Sequence, residues 1–325
     1  MALFLPLMDK KSFSYTLPFS INSLCANLRT QIGHLFIKRR INMVLSSIVH
    51  SYTSYQSLAL EATFYKTSAA PKEQTIIYIH GGGVMYGQRD DLPEEYIQNF
   101  LAAGYHFLAL DYPLAPEAPL RDIYTETKKG IQWFTEEYRS TLDITSDTFI
   151  LFGRSAGAYL TLLLANDPEL PDPVKLISFY GYYSLNDPSF QKPSVYYKKY
   201  PVVPEKLIRK LIRSSPMAKG PLQTRYALYL YARQTGKWIE YLHATQEDCR
   251  NFSLTTDELQ TLPPTFIAQS TDDQDVPYRI GKTLQASIPD SYFFSVTGLE
   301  HDFDRDSLVP EAKEAYRQLI DWLLK

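Results

Sequence analysis

Short, nearly unbroken apolar runs recur along the chain: Thr75–Ile79 (TIIYI), residues 105–110 (YHFLAL), 149–152 (FILF), 175–180 (KLISFY), 264–269 (PTFIAQ) and 292–296 (YFFSV). Runs of this length predict strands, and Thr75–Ile79 and 149–152 read as strands buried on both faces. Residues 58–65 (LALEATFY) alternate roughly and read as a further strand. Between the runs, residues 94–103 and 123–138 carry apolar positions at three-to-four spacing, and 156–165 is rich in Ala and Leu, so these predict helices. Alternating strands and helices imply an α/β fold around a mostly parallel sheet with right-handed crossovers, and such a sheet gathers its functional loops at the strands' carboxyl ends.

Two regions break this rhythm. From residue 21 to 49, Ile21, Leu24, Leu28, Ile32, Leu35, Ile41, Val44 and Ile48 recur at helical steps around a basic Lys38-Arg39-Arg40. One or two amphipathic helices are expected there, forming a lid, lying on a membrane surface or simply packed with a solvated basic face. Regular alternation also stops between about residues 182 and 258, which predicts an inserted cap. Tyrosines crowd this insertion, Tyr196, Tyr197, Tyr200, Tyr226 and Tyr229 among them, as a pocket roof or a small aromatic core. The stretch 192–237 is strongly basic with Glu205 as its acid. Residues 205–213 (EKLIRKLIR) would set Leu207, Ile208, Leu211 and Ile212 on one helix face and the bases on the other, a solvated face or one that draws anionic substrates or an acidic surface. The expected organisation is an N-terminal helical segment over 1–50, belonging with the cap, a core over 51–181 and 259–325, and the cap over 182–258.

Composition narrows the class. With 325 residues, 45% hydrophobic, 21% charged and a net charge of −3, the chain reads as an ordinary globular protein. No apolar run reaches the ~18 residues of a membrane span, and nothing suggests nucleic acid as a partner. Cys25 and Cys249 are far apart and lack metal-ligand spacing, which predicts neither disulfide nor zinc site and favours the cytoplasm. The opening MALFLPLM is short and runs into Asp9-Lys10-Lys11, so no signal peptide is expected.

Two glycine motifs carry the candidate chemistry. Gly153-Arg154-Ser155-Ala156-Gly157 lies between a predicted strand and a predicted helix. In that context G-x-S-x-G reads as a nucleophile elbow, a turn so tight that only glycine fits on either side and the serine hydroxyl is forced outward. A chance match in a turn is the bland alternative. His80-Gly81-Gly82-Gly83 follows another predicted strand, and three successive glycines are entropically costly unless main-chain N–H groups must turn toward a ligand. An oxyanion loop fits; a phosphate loop fits less well, because neither G-x-G-x-x-G nor G-K-[ST] is present.

These motifs, with Asp111-Tyr112-Pro113-Leu114-Ala115-Pro116-Glu117 between them, resemble in kind and order the hormone-sensitive-lipase-like carboxylesterase branch of the α/β-hydrolase family. The resemblance runs from about residue 58 onward. It departs at Pro113, where the family usually has Arg, and at Arg154, where it usually has an acid. It implies an α/β-hydrolase fold, a serine esterase activity without cofactor or metal, and oxyanion donors at Gly82, Gly83 and Ala156. In this fold the triad runs serine, acid, histidine along the chain. Past Ser155 the histidines are His243, within the insertion, and His301, in a loop after a predicted strand, so His301 is the expected base. The acid is expected after residues 264–269, where Asp272, Asp273 and Asp275 all stand. Related hydrolases commonly place it in D-x-x-V-P, which selects Asp273, with Asp275 next. Asp111 is expected to fix its loop rather than to act chemically. The expected substrate is a small ester with a short-to-medium acyl group. A peptidase or amidase with the same residues, or a ligand-binding protein on the same scaffold, are the alternatives, and self-association is left open.

Overall fold

The computed structural model describes residues 45–325. The proposed helices of the N-terminal segment, with Cys25, lie largely outside the described residues. Eight strands form one sheet: β1 (Ile48–Tyr55), β2 (Leu58–Tyr65), β3 (Thr75–Ile79), β4 (His106–Leu110), β5 (Phe149–Arg154), β6 (Lys175–Phe179), β7 (Thr265–Ser270) and β8 (Ser291–Val296), in the order β1-β2-β4-β3-β5-β6-β7-β8. β1 and β2 pair antiparallel, as do β2 and β4, and all other neighbours are parallel. Helices α1 (Glu94–Ala102), α2 (Leu120–Glu137) and α3 (Ala156–Ala165) alternate with the strands. Six more fill the stretch between β6 and β7: α4 (Pro188–Gln191), α5 (Glu205–Leu211), α6 (Leu222–Thr235), α7 (Trp238–Tyr241), α8 (Gln246–Asn251) and α9 (Thr256–Leu259). The chain then adds α10 (Tyr278–Ser287) and α11 (Pro310–Leu323).

Every residue of β3, β4, β5 and β7 is buried, as the apolar runs of β3 and β5 predict, because helices cover both faces. One core cluster joins Ile77, Leu108 and Leu151 to the buried side chains of α2, α3 and α6. The other joins Tyr78, Phe107 and Phe152 to α1 and α11 on the opposite face. α3 has no polar stripe because nine of its residues, Ala156 through Leu164, are buried, between the sheet on one side and Tyr182 and Phe252 on the other.

One expectation fails in the described region. Ile48 and Val49, predicted as the end of a helical pattern, begin β1, so a sheet strand straddles the expected boundary at residue 50. β1 is an edge strand whose single buried residue is Tyr52, and its partly exposed residues do not show the run that marks an interior strand. Tyr52 ties the edge down by donating its hydroxyl to the Asp111 carbonyl at 2.6 Å.

A buried ion pair joins the segment between β6 and β7 to the loops above the sheet. Glu117 receives a bidentate grip from Arg225 of α6, at 2.9 and 2.8 Å. The same guanidinium donates to the Met85 and Ala115 carbonyls, each at 2.8 Å. Both side chains are almost fully buried, which the fork of an arginine tolerates when all its donors are used.

Candidate active site

β3, β5, β7 and β8 are parallel, so their carboxyl ends deliver His80, Ser155, Asp273 and His301 to one edge of the sheet. Ser155 sits between β5 and α3 at φ +53° and ψ −120°, a left-handed conformation that a non-glycine residue adopts only where its surroundings enforce it. The flanking glycines show why. A Cβ on Gly153 would lie 2.3 Å from the Ala158 nitrogen, and one on Gly157 would lie 2.0 Å from the Ile79 carbonyl oxygen. The turn closes against α3 and β3 only because both are absent.

His301 Nε2 lies 2.9 Å from Ser155 Oγ, and Nδ1 lies 2.7 Å from Asp273 Oδ2. Of the three aspartates in the turn after β7, Asp273 meets Nδ1. Its other oxygen accepts from the backbone N–H of Asp275 and Val276, each at 2.9 Å, and Gln269 Nε2 donates to Oδ2 at 2.9 Å. These bonds fix the carboxylate with its charge facing the ring. Asp275 instead accepts from Tyr229 Oη at 2.8 Å and lies 3.2 Å from buried Arg233, with Oδ2 3.8 Å from His301 Nε2. Asp272 is exposed, and His243 stands in the segment between β6 and β7 with its Nε2 at the Pro116 carbonyl. Burial pushes the His301 imidazole down, but Asp273, Asp275 and Asp302 outweigh it and raise it to about 9.

The glycine loop is set by its carbonyls. In a trans peptide the C=O and N–H point in opposite directions. Tyr112 Oη donates to the Gly81 carbonyl at 3.0 Å, turning the Gly82 N–H away from it. The Gly82 carbonyl accepts from the N–H of Met85 and Tyr86 at 3.0 and 3.1 Å, which fixes the Gly83 N–H on the opposite side. The Ser155 carbonyl accepts from Tyr159 N at 3.0 Å, leaving the Ala156 N–H at the open start of α3. Among the described residues, none of these three N–H groups is spent on a backbone carbonyl. A Cβ on Gly82 would come within 1.9 Å of the Tyr86 carbonyl oxygen, and one on Gly83 within 2.3 Å of the Tyr229 ring. His80 stacks on Tyr112 with centroids 4.1 Å apart, and its burial lowers the imidazole to about 3, so it is a neutral prop. Asp111 is likewise structural: it pairs with buried Arg89, which also holds Thr63 and Glu61.

Sequence reading left Arg154 as a departure without a purpose. Its buried guanidinium donates to Tyr180 Oη at 2.8 Å, to Asp302 Oδ1 at 2.5 Å and to Asp304 Oδ1 at 2.9 Å. It thereby ties Asp302 and Asp304, one and three positions after His301, to the end of β5, while Tyr180 packs edge-on against the imidazole with centroids 4.6 Å apart. Trp238 was also missed; its Nε1 donates to the Gly83 carbonyl at 3.1 Å from α7. Ser155 and His301 face a cavity of about 260 Å³ that Gly81, Gly82, Tyr180 and Arg305 also line. A second cavity of about 250 Å³, which shares His301, Asp302 and Arg305 with the first, is walled by Tyr196, Tyr197, Tyr200 and Tyr226. Among the described residues, no group of three or more His, Cys, Asp or Glu is placed to hold a metal ion, and no helix is long and apolar enough to cross a membrane.

The parallel sheet with its serine elbow and glycine loop defines an α/β hydrolase. A sequence model of the alpha/beta hydrolase fold matches residues 76–304, and the chain belongs to that family. The matching model is that of the hormone-sensitive-lipase-like hydrolases. It is similar to a Staphylococcus aureus protein of unknown function, at 34% identity and a TM-score of 0.76, over 85% of this chain and 98% of that one. An alpha/beta hydrolase superfamily protein from Enterococcus faecalis is similar at 32% identity and a TM-score of 0.74, over 86% and 98%. Carboxyl esterase 2 of the fungus Tuber melanosporum shares the fold at 20% identity and a TM-score of 0.60, over 85% of each chain. Curated relatives include the non-reducing polyketide synthase adrD of Penicillium rubens, 30% identical over 139 residues; the match spans 40% of this chain and only 6% of the synthase.

Proposed function

We propose that the chain is a serine esterase that cleaves carboxylic esters with small or short-to-medium acyl groups through an acyl-serine intermediate. The observation that carries this reading is the continuous hydrogen-bonded relay from Ser155 through His301 to Asp273. With the Nδ1 proton donated to Asp273, Nε2 is free to accept the Ser155 proton as Oγ attacks the ester carbonyl. The carbonyl oxygen becomes an oxyanion, stabilised by the N–H groups of Gly82, Gly83 and Ala156. His301 then protonates the leaving alcohol, and in the second half it takes a proton from water, whose oxygen attacks the acyl carbon and returns Ser155 with release of the acid. The first cavity's modest volume suits a small acyl group.

Matched p-nitrophenyl esters and p-nitroanilides of increasing acyl length test this. Turnover of the esters that a fluorophosphonate abolishes by labelling Ser155 is the expected result. Faster turnover of the anilides would make the protein an amidase; neither turnover nor labelling would leave a binding scaffold.

The raised imidazole gives a second expectation. The base works only when neutral, so kcat/KM should fall about tenfold per pH unit below its pKa. The acid limb is therefore expected toward 9 rather than near the ordinary 6.5. Asp275→Asn removes one nearby negative charge and should move that limb to lower pH. A limb near 6.5 that Asp275→Asn leaves in place would show that these carboxylates do not act on the base.

A further inference from the structure

Residues 192–219 of the inserted region bring Tyr196, Tyr197 and Tyr200 to the second cavity, but none of their Lys or Arg side chains reaches the site described above. The arginines lining the two cavities are Arg154 and Arg305, both held by Asp302. That stretch carries eight basic residues and one acid, Glu205, which is engaged by Arg209. Among the described residues, exposed Lys198, Lys199, Lys206 and Lys210 have no carboxylate partner. Large apolar side chains stand out in the same place: Val195 is 78% exposed and Val202 84%, with Tyr200 and Leu207 also exposed. Of the helix face predicted over residues 205–213, only Ile208 is fully buried; α5 ends after two turns and Leu207 faces outward.

This exposure is not the fraying of an untethered loop. Gln234 of α6 reaches the segment from within, donating to the carbonyls of Tyr197, Tyr200 and Pro201 at 3.0 to 3.3 Å and accepting from Val203 N at 3.2 Å. Tyr197, Val203 and Ile208 point into the core, so the residues between them are held outward. Tyr196 and Tyr200 share a hydroxyl contact of 2.9 Å and Lys199 lies over the Tyr196 ring. The result is a fixed surface where apolar tips, tyrosines and unpaired lysines alternate every few residues, beside the tyrosine-walled cavity at His301.

We propose that this face, residues 195–210, docks onto an anionic lipid surface. Alternating apolar and cationic side chains match a headgroup layer, which deforms around separate apolar tips while its anionic groups meet the lysines. The core of a protein interface is instead depleted of lysine, and here lysines stand between the apolar tips. A second copy would bring the same positive charge.

The test is sedimentation of the full chain with phosphatidylcholine vesicles, with and without phosphatidylserine, at low and high salt. Binding is expected on the phosphatidylserine vesicles and should weaken with salt. Lys198→Gln with Lys199→Gln should reduce it roughly thirtyfold, and Val195→Asp with Val202→Asp by about tenfold or more. Both pairs are exposed, and an unchanged near-UV circular dichroism spectrum would show that the fold survives. Absence of binding at low salt, equal binding to both vesicle types, or variants that bind like the parent would each overturn the proposal. So would a dimer that Val195→Asp with Val202→Asp dissolves, or retention on poly-glutamate without vesicle binding.

Discussion

Replacing Ser155 with alanine is expected to lower kcat on an ester by on the order of 10⁶ while leaving the fold intact. The side chain adds one hydroxyl at a position whose backbone is already forced into place by Gly153 and Gly157, so its loss removes chemistry and little else. His301→Ala should cost about as much, because the imidazole serves only to take and return the proton of that hydroxyl and of water. The double variant should then be no slower than either single one. Groups that act as a unit fail together, and what remains, roughly 10³–10⁴ over water, comes from the oxyanion donors and binding. Single-turnover and steady-state rates on one p-nitrophenyl ester decide it. An unchanged rate in Ser155→Ala, or losses that multiply in the double variant, would show that the two residues do not share one step.

Much of this arrangement was legible in the chain before any coordinates. β3 and the first four residues of β5 were visible because a strand covered on both faces is largely apolar, and such runs are hard to produce in any other way. Ser155 and the glycine loop were visible because their constraint is local: a turn that admits no Cβ writes glycine into the sequence. The residues that were not legible are held by contacts remote in the chain. Arg154 meets Asp302 and Asp304 about 150 positions away, Arg225 meets Glu117 at a separation of 108, and Trp238 meets Gly83 at 155. No spacing encodes such pairs. β1 escaped for the opposite reason, since an edge strand with one buried residue is under little constraint to alternate. The outward turn of Leu207 was hidden too, because periodicity shows which residues share a helix face but not whether anything packs against it.

The turn after β7 shows where spacing stops and geometry must decide. Asp273 and Asp275 are two positions apart, both buried, and both near His301, one at Nδ1 and one 3.8 Å from Nε2. Asp273→Asn is expected to lower kcat by roughly 10⁴. The asparagine can keep its oxygen on the N–H groups of Asp275 and Val276, where Asp273 Oδ1 now accepts, which leaves the turn closed. Its NH₂ then faces Nδ1 and donates to it, driving the ring proton to Nε2, where the imidazole can no longer accept from Ser155. Asp275→Asn leaves the Nδ1 partner untouched and keeps an acceptor for Tyr229, so its loss should be far smaller and should fall mainly on the pH profile. The comparison of kcat for the two variants, with circular dichroism to confirm that both are folded, separates the roles. Equal losses, or the larger loss at Asp275, would place the orienting carboxylate on the other side of the ring.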